Sequence, residues 1–177
     1  MPKACDNKSV GVLIEEDGRW AMIFRHNYPH AWAMIAGHVD VHGTEREAAF
    51  AEAAEEGSLA LGRFVELPFH EDIDNPCKND GGTHHLWTLF GAYDWTGTLK
   101  ASSDAKEARW TTNKELLELA ARTEYFMKKL GIGFEEVGRL TVAIFGTFAE
   151  PNEDQEWTTN PGLEPVWYYM LKKIGKI

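Results

Sequence analysis

Residues Gly37 to Leu59 read G-H-V-D-V-H-G-T-E-R-E-A-A-F-A-E-A-A-E-E-G-S-L, a glycine turn followed by an acidic, alanine-rich run. Thr44 with Glu47 three residues on has the capping-box pattern, in which hydroxyl and carboxylate satisfy backbone N–H groups left free at a helix start. Gly57 is expected to end that helix. At ~100° per residue, Glu52, Glu55 and Glu56 fall within an arc of about 100°, so one helix face presents all three carboxylates. Phe50, Ala53 and Ala54 are expected on the opposite side, packed on a core, with the alanines allowing close approach to a sheet.

Acidic runs on helices are usually solvated faces, because Glu is a good helix former. Like charges three and four residues apart nevertheless cost a few tenths of a kcal/mol per pair. A hard cation offsets that cost: Mg²⁺ takes oxygen ligands and keeps open positions for substrate phosphates. The trio is therefore a divalent-cation site in outline.

Outward from this run the chain alternates strands and helices. Ser9 to Ile14 and Trp20 to Arg25 are β-rich and flank Asp17-Gly18, a strong hairpin signal. Trp32 to Ile35, Leu61 to Pro68 and His84 to Tyr93 read as further strands, and a second helix begins near Leu116 after Thr112-Asn113. Pro165 stands where a first-turn proline opens a terminal helix through Lys173. Glu71 to Gly82 has the composition of a long loop. The run Leu140 to Phe145 fits strand or helix, and Glu150 to Asp154 is loop. Most of Trp20, Trp32, Trp87 and Trp110 are expected in the core. The architecture expected is α/β (α+β), a mixed β-sheet between helices.

The segment Gly37 to Leu59 resembles the Nudix box, G-x(5)-E-x(7)-R-E-U-x-E-E-x-G-U with U a bulky aliphatic residue. Without a gap, Gly37 takes the opening glycine, Glu52 the first helix glutamate, Glu55 and Glu56 the E-E pair, and Leu59 the closing aliphatic. Gly43 stands where the family has an early glutamate, Ala51 replaces the arginine, Ala53 is small for its position and Ser58 replaces the late glycine. Trp32 to Gly37 resembles the family's W-x-L-P-G-G strand and turn. Glu107-Ala108-Arg109-Trp110 and Lys114-Glu115-Leu116-Leu117 resemble its later strand and helix. The ending Pro161 to Trp167, with the opening Cys5 to Val12, is similar to a bacterial subgroup.

The resemblance implies a Nudix-like α/β/α sandwich spanning residues 1–177 as one domain. It implies metal-assisted attack of water on a diphosphate linkage in a nucleoside diphosphate joined to another group. Glu56 would be the primary ligand for Mg²⁺ or Mn²⁺, Glu52 would share the metal, and Glu55 would be ligand or base. The alternative base is one from a later loop, where Asp104 and Glu107 are the available carboxylates. Gly37 and His38 would line the nucleotide phosphates, with His42 near them. Glu45, on the same face one heptad earlier, is a weaker contributor, and Arg46 projects from the opposite side and cannot replace the arginine lost at Ala51. A second reading is a Nudix-like module that binds a nucleotide without cutting it, as a sensor. Gly43 and Ala51 support that reading, whereas the complete set of cation ligands supports the enzyme.

A net charge of −10 argues against nucleic acid as the main partner, since phosphate contacts need clustered Lys and Arg. A small nucleotide held through cations remains compatible with it. No apolar run reaches the roughly 18 residues of a membrane span, and Met1-Pro2-Lys3-Ala4 lacks a secretory hydrophobic stretch, so the expected address is cytoplasmic. The sequence leaves a homodimer open. Cys5 and Cys77 read plainly as reduced thiols. A sharper reading joins them with His84 or His85 as a structural zinc site; the irregular spacing favours free thiols.

Overall fold

The computed structural model describes residues 3–177, apart from the side chain of Val41; the opening Met1-Pro2 lies outside the described residues. Strands β1 (Lys8–Glu16) and β2 (Arg19–Arg25) form the expected hairpin. Asp17 and Gly18 both take positive φ, 52° and 74°, which gives the tight turn the right twist for antiparallel partners. β1 then does double duty. Its first half pairs antiparallel with β4 (Ile35–His38), from Ser9↔His38 to Val12↔Ile35, while its other edge pairs parallel with β7 (His85–Ala92).

The mixed sheet runs β3-β2-β1-β7-β6, with β3 at Trp32–Ala33 and β6 at Phe64–Ile73; β9 (Ala105–Thr112) pairs with β2. A two-stranded ribbon joins β5 (Leu59–Leu61) to β8 (Trp95–Gly97). β6 continues beyond Pro68, where the sequence reading stopped it. Its register with β7 shifts between Glu66 and His70, and a proline is tolerated at such an irregularity because it has no N–H to leave unpaired.

Side chains alternate across β1 and so assign the two layers. Val10, Val12 and Ile14 face helix α1 (Glu45–Gly57) through Ala48, Ala49 and Ala53. Leu13 faces the other layer, built from α2 (Asn113–Leu130), α3 (Val137–Phe145), α4 (Gln155–Thr159) and α5 (Pro165–Lys173). The sheet thus lies between helices, as expected. Capping boxes start α1 at Thr44/Glu47 and α2 at Thr112/Glu115. Each cap is worth about 1 kcal/mol.

One local expectation needs correction and two others become specific. Gly57 is the last helical residue of α1, and Ser58 takes the left-handed cap at φ 58°. Phe50 is 46% exposed and Ala54 is exposed, so the packed ridges are Ala49–Ala53–Gly57 and the alanine end of Ala48–Glu52–Glu56. The run Leu140 to Phe145 is helical: Val137, Leu140, Thr141, Ile144 and Phe145 recur at three- and four-residue intervals and all are buried.

Helix α5 is integral to the core. Pro165 through Leu171 are all buried, and the indole of Trp167 lies over Gly11 and beside Trp87. A Cβ on Gly11 would come within 2.6 Å of Leu89 as well as striking that indole, so β1 needs glycine there. Trp20, Trp32 and Trp87 are buried as expected, and Trp110 is half-buried against Trp95. No helix among the described residues is long and apolar enough to cross a membrane. Replacing Trp167 with alanine should cost about 3–5 kcal/mol in urea denaturation. A loss near zero would show that the C-terminal segment is not part of the cooperative unit.

Candidate active site

The close packing of α1 onto β4 decides where its carboxylates lie. Alanines at 48, 49 and 53 bring the helix against the sheet, and Gly57 sits so near Ile35 that a Cβ there would approach its Cδ1 to 2.7 Å. Glu52 and Glu56 follow Ala48 at four-residue steps, so the ridge that begins in the core ends with two half-buried acids. Glu55 is exposed beside them.

Gly37 meets the first of these acids directly. The Glu52 carboxylate occupies the space that a Cβ on residue 37 would take, so only glycine permits this approach. One residue earlier, the Ala36 backbone N–H donates to Glu56 Oε2 at 3.0 Å. His42 Nε2 lies 3.8 Å from Glu52 Oε1. The end of β4 therefore meets both acids, Glu56 through the Ala36 N–H and Glu52 through the space left by Gly37.

Burial makes these carboxylates reluctant to ionise. Desolvation, followed by the negative charges of Glu56, Glu55 and Asp104, pushes the Glu52 carboxyl up to about 8. Desolvation likewise pushes Glu56 up to about 7, against the opposing pull of Arg25 and the Ala36 N–H. Two half-buried carboxylates with too little positive charge beside them are hard oxygen donors of the kind a divalent cation such as Mg²⁺ or Mn²⁺ takes, although Glu52, Glu55 and Glu56 do not close to within 4.8 Å of one another among the described residues.

Arg25 is the cation that sequence reasoning missed. It ends β2, approaches Glu164 with 3.6 Å between Nη1 and Oε2, and lowers the proton affinity of both Glu164 and Glu56. Glu164 is itself only 4% exposed, at the N-terminus of α5. A basic residue closing the second strand of the hairpin was the available signal. Arg46, by contrast, donates to the Phe64 carbonyl at 3.1 Å and covers the Phe64 ring, on the far side from the acids.

The remaining candidates separate. Glu107 is 54% exposed and 3.9 Å from Arg109, with which it shares a face of β9; that guanidinium stacks on Trp32 in the α5 layer. Asp104, in the loop before β9, accepts from Asn27 and is the later carboxylate whose charge acts on Glu52 and Glu56. Glu45 binds Lys8 at 3.4 Å. The His38 ring turns to His85, with 3.1 Å between the two Nε2 atoms. A surface hollow of ≈ 620 Å³ beside Met127, Phe134 and Tyr168 holds none of these acids.

The NUDIX domain family model matches residues 7–130. Among solved structures, the fold is similar to the MutT NUDIX hydrolase from Burkholderia pseudomallei, at TM-score 0.53 and 23% identity over 62% of this chain and 84% of that one. It is also similar to the E. coli dihydroneopterin triphosphate pyrophosphohydrolase, at TM-score 0.53 and 17% identity over 67% and 87%. The NUDIX domain of Shewanella oneidensis NrtR, cocrystallised with ADP ribose, matches at TM-score 0.50 and 12% identity over 67% and 78%. No curated protein matches the chain.

Raised carboxyl values set the sign of a pH effect. A folded Glu52 at about 8 retains its proton where an unfolded one, near 4.5, has lost it, so the metal-free fold loses stability as pH rises between those values and the loss is complete above the upper one. Glu52→Gln has no such charge to bury. In chemical denaturation without metal, the variant should gain on the parent from about pH 5 to pH 8. A difference that does not change with pH would contradict this.

Proposed function

The chain belongs to the Nudix family, and on that premise we propose that it is a metal-dependent hydrolase that cleaves a diphosphate linkage in a nucleoside diphosphate joined to another group. The observation that carries this reading is the presentation of Glu52, Glu55 and Glu56 on one face of α1, two of them half-buried with their charge only partly compensated; among the described residues the three carboxylates do not close to within 4.8 Å of one another, so a cation would draw them together. An isolated solvated acidic face would have no reason to press a carboxylate against a glycine backbone. The placement of α5 in the common core supports residues 1–177 as one domain.

Glu56 is the proposed primary ligand, oriented by the Ala36 N–H and balanced by Arg25. Glu52 shares the cation, its carboxylate fixed against Gly37. A bound Mg²⁺ or Mn²⁺ would neutralise phosphate oxygens and supply a water of lowered pKa. Glu55, exposed on the same face, is placed to be a further ligand or to take the proton from the attacking water. Of the two later carboxylates, Asp104 is placed better than Glu107 for that second role. Arg25 partly replaces the positive charge missing at Ala51, acting from the sheet and not from the helix. Gly37 lines the substrate phosphates; His38, turned to His85, is less available for them.

The second reading, nucleotide binding without cleavage, rests on Gly43 and Ala51. Gly43 has φ 92°, a backbone conformation that would strain the family's glutamate at that position. One assay separates the readings. The purified chain is incubated with Mg²⁺ or Mn²⁺ and ADP-ribose, NADH, diadenosine polyphosphates, nucleotide sugars, dihydroneopterin triphosphate and nucleoside triphosphates, with Glu56→Gln alongside. The hydrolase should turn over at least one diphosphate-linked compound, and the variant should lose about 100-fold or more, the equivalent of several kcal/mol of charge stabilisation. Tight binding without turnover would favour the sensor. Turnover unchanged in the variant would remove the proposed site.

A further inference from the structure

On the other side of the Gly37 turn, four side chains from four separate segments meet: Cys5 before β1, His38 at the end of β4, Cys77 in the loop between β6 and β7, and His85 at the start of β7. Their donor atoms all lie within 4.8 Å of one another. The separations are 3.6 Å for Cys5 Sγ to Cys77 Sγ, 3.2 Å for Cys5 Sγ to His85 Nε2, and 3.1 Å for His38 Nε2 to His85 Nε2. Zinc bonds of about 2.3 Å to sulfur and about 2.0–2.1 Å to nitrogen give tetrahedral edges of about 3.8 Å for S–S, about 3.6 Å for S–N and about 3.3 Å for N–N. The observed edges lie close to those values and in the same order.

We propose that Cys5, His38, Cys77 and His85 form a structural Zn²⁺ site of the Cys₂His₂ type, separate from the carboxylate site on α1.

The surroundings are arranged as ligands require. His85 is 1% exposed, and its Nδ1–H donates to the Asn75 carbonyl at 2.6 Å, which fixes the tautomer and leaves the Nε2 lone pair pointing at Cys5 and His38. Desolvation lowers the proton affinity of both imidazoles, which favours the neutral form that ligates a metal. The Asn7 N–H points to Cys5 Sγ at 3.4 Å. Gly82 leaves room for the Cys77 sulfur, which a Cβ there would strike. Backbone bonds from Cys5 N–H to Asp80 O at 2.8 Å and from Cys77 N–H to Gly82 O at 2.9 Å hold the two thiol segments in place.

Binding would form two Zn–S and two Zn–N bonds and release both thiol protons to solvent, leaving an uncharged cluster suited to its half-buried place. Four protein ligands leave no open position, so the role is structural. The ion would clamp the N-terminal segment and the long β6–β7 loop to His38, the neighbour of the Gly37 that receives Glu52. His84 takes no part: it is exposed, next to Thr83 and 3.8 Å from Asp72.

The test uses the full untagged chain, purified anaerobically under reducing conditions, equilibrated with Zn²⁺ and dialysed before elemental analysis. One zinc per chain is expected, and exchange for Co²⁺ should give the intense ligand-field bands of a tetrahedral ion with a thiolate charge-transfer band. Cys77→Ser should weaken Zn²⁺ binding by about tenfold or more and remove most of that band. His84→Ala and Glu56→Gln should each retain one zinc, the latter separating this site from the hydrolytic one. Recovery of less than about a tenth of a zinc per chain, against the affinities usual for structural sites, would overturn the proposal. So would Co²⁺ spectra without thiolate ligation, or a Cys5–Cys77 disulfide in the reduced preparation.

Discussion

The Glu52 carboxylate rests on the backbone of Gly37, and the placement of helix α1 against the end of β4 turns on that contact. It requires a residue without Cβ on the strand, alanines along the helix face that meets the sheet, and a capped helix start that sets the phase of every later side chain. Given those three conditions, Glu52 and Glu56 emerge at the rim of the core and not in open solvent. Their burial is unfavourable for isolated charges, which is why both carboxyls are pushed above the usual range. The fold tolerates this locally because the backbone of Ala36 and the guanidinium of Arg25 supply part of the compensation.

Local signals in the sequence carried the elements whose causes are themselves local. The Asp17-Gly18 turn, the Thr44/Glu47 cap and the first-turn Pro165 each depend on a few adjacent residues, and each appears where its pattern stands. The carboxylate trio was legible for the same reason, since helical geometry alone groups it on one face. Which side of α1 would pack was less legible: Phe50 promised more burial than the small alanines, yet the sheet approaches too closely for a ring at the contact. The run Leu140 to Phe145 was ambiguous because a short apolar segment has no decisive period until its partners are known.

What the sequence concealed depends on contacts across long separations. Arg25 and Glu164 are 139 positions apart, and nothing near either residue announces the other. Cys5, His38, Cys77 and His85 follow no compact ligand spacing, because the parallel pairing of β1 with β7 and the antiparallel pairing of β1 with β4 bring them together. The sheet therefore organises two clusters on either side of the end of β4. Gly37 belongs to one and His38 to the other, so the geometry of each depends on the same two-residue step at the end of β4.

The most direct measurement is anomalous diffraction from crystals of the chain grown with Mn²⁺ and a non-hydrolysable nucleoside diphosphate analogue. The account predicts manganese within about 2.0–2.3 Å of carboxylate oxygens from Glu52 and Glu56, beside the analogue's phosphates. Manganese bound to the phosphates while those two carboxylates stay unliganded against Gly37 and Ala36 would contradict it.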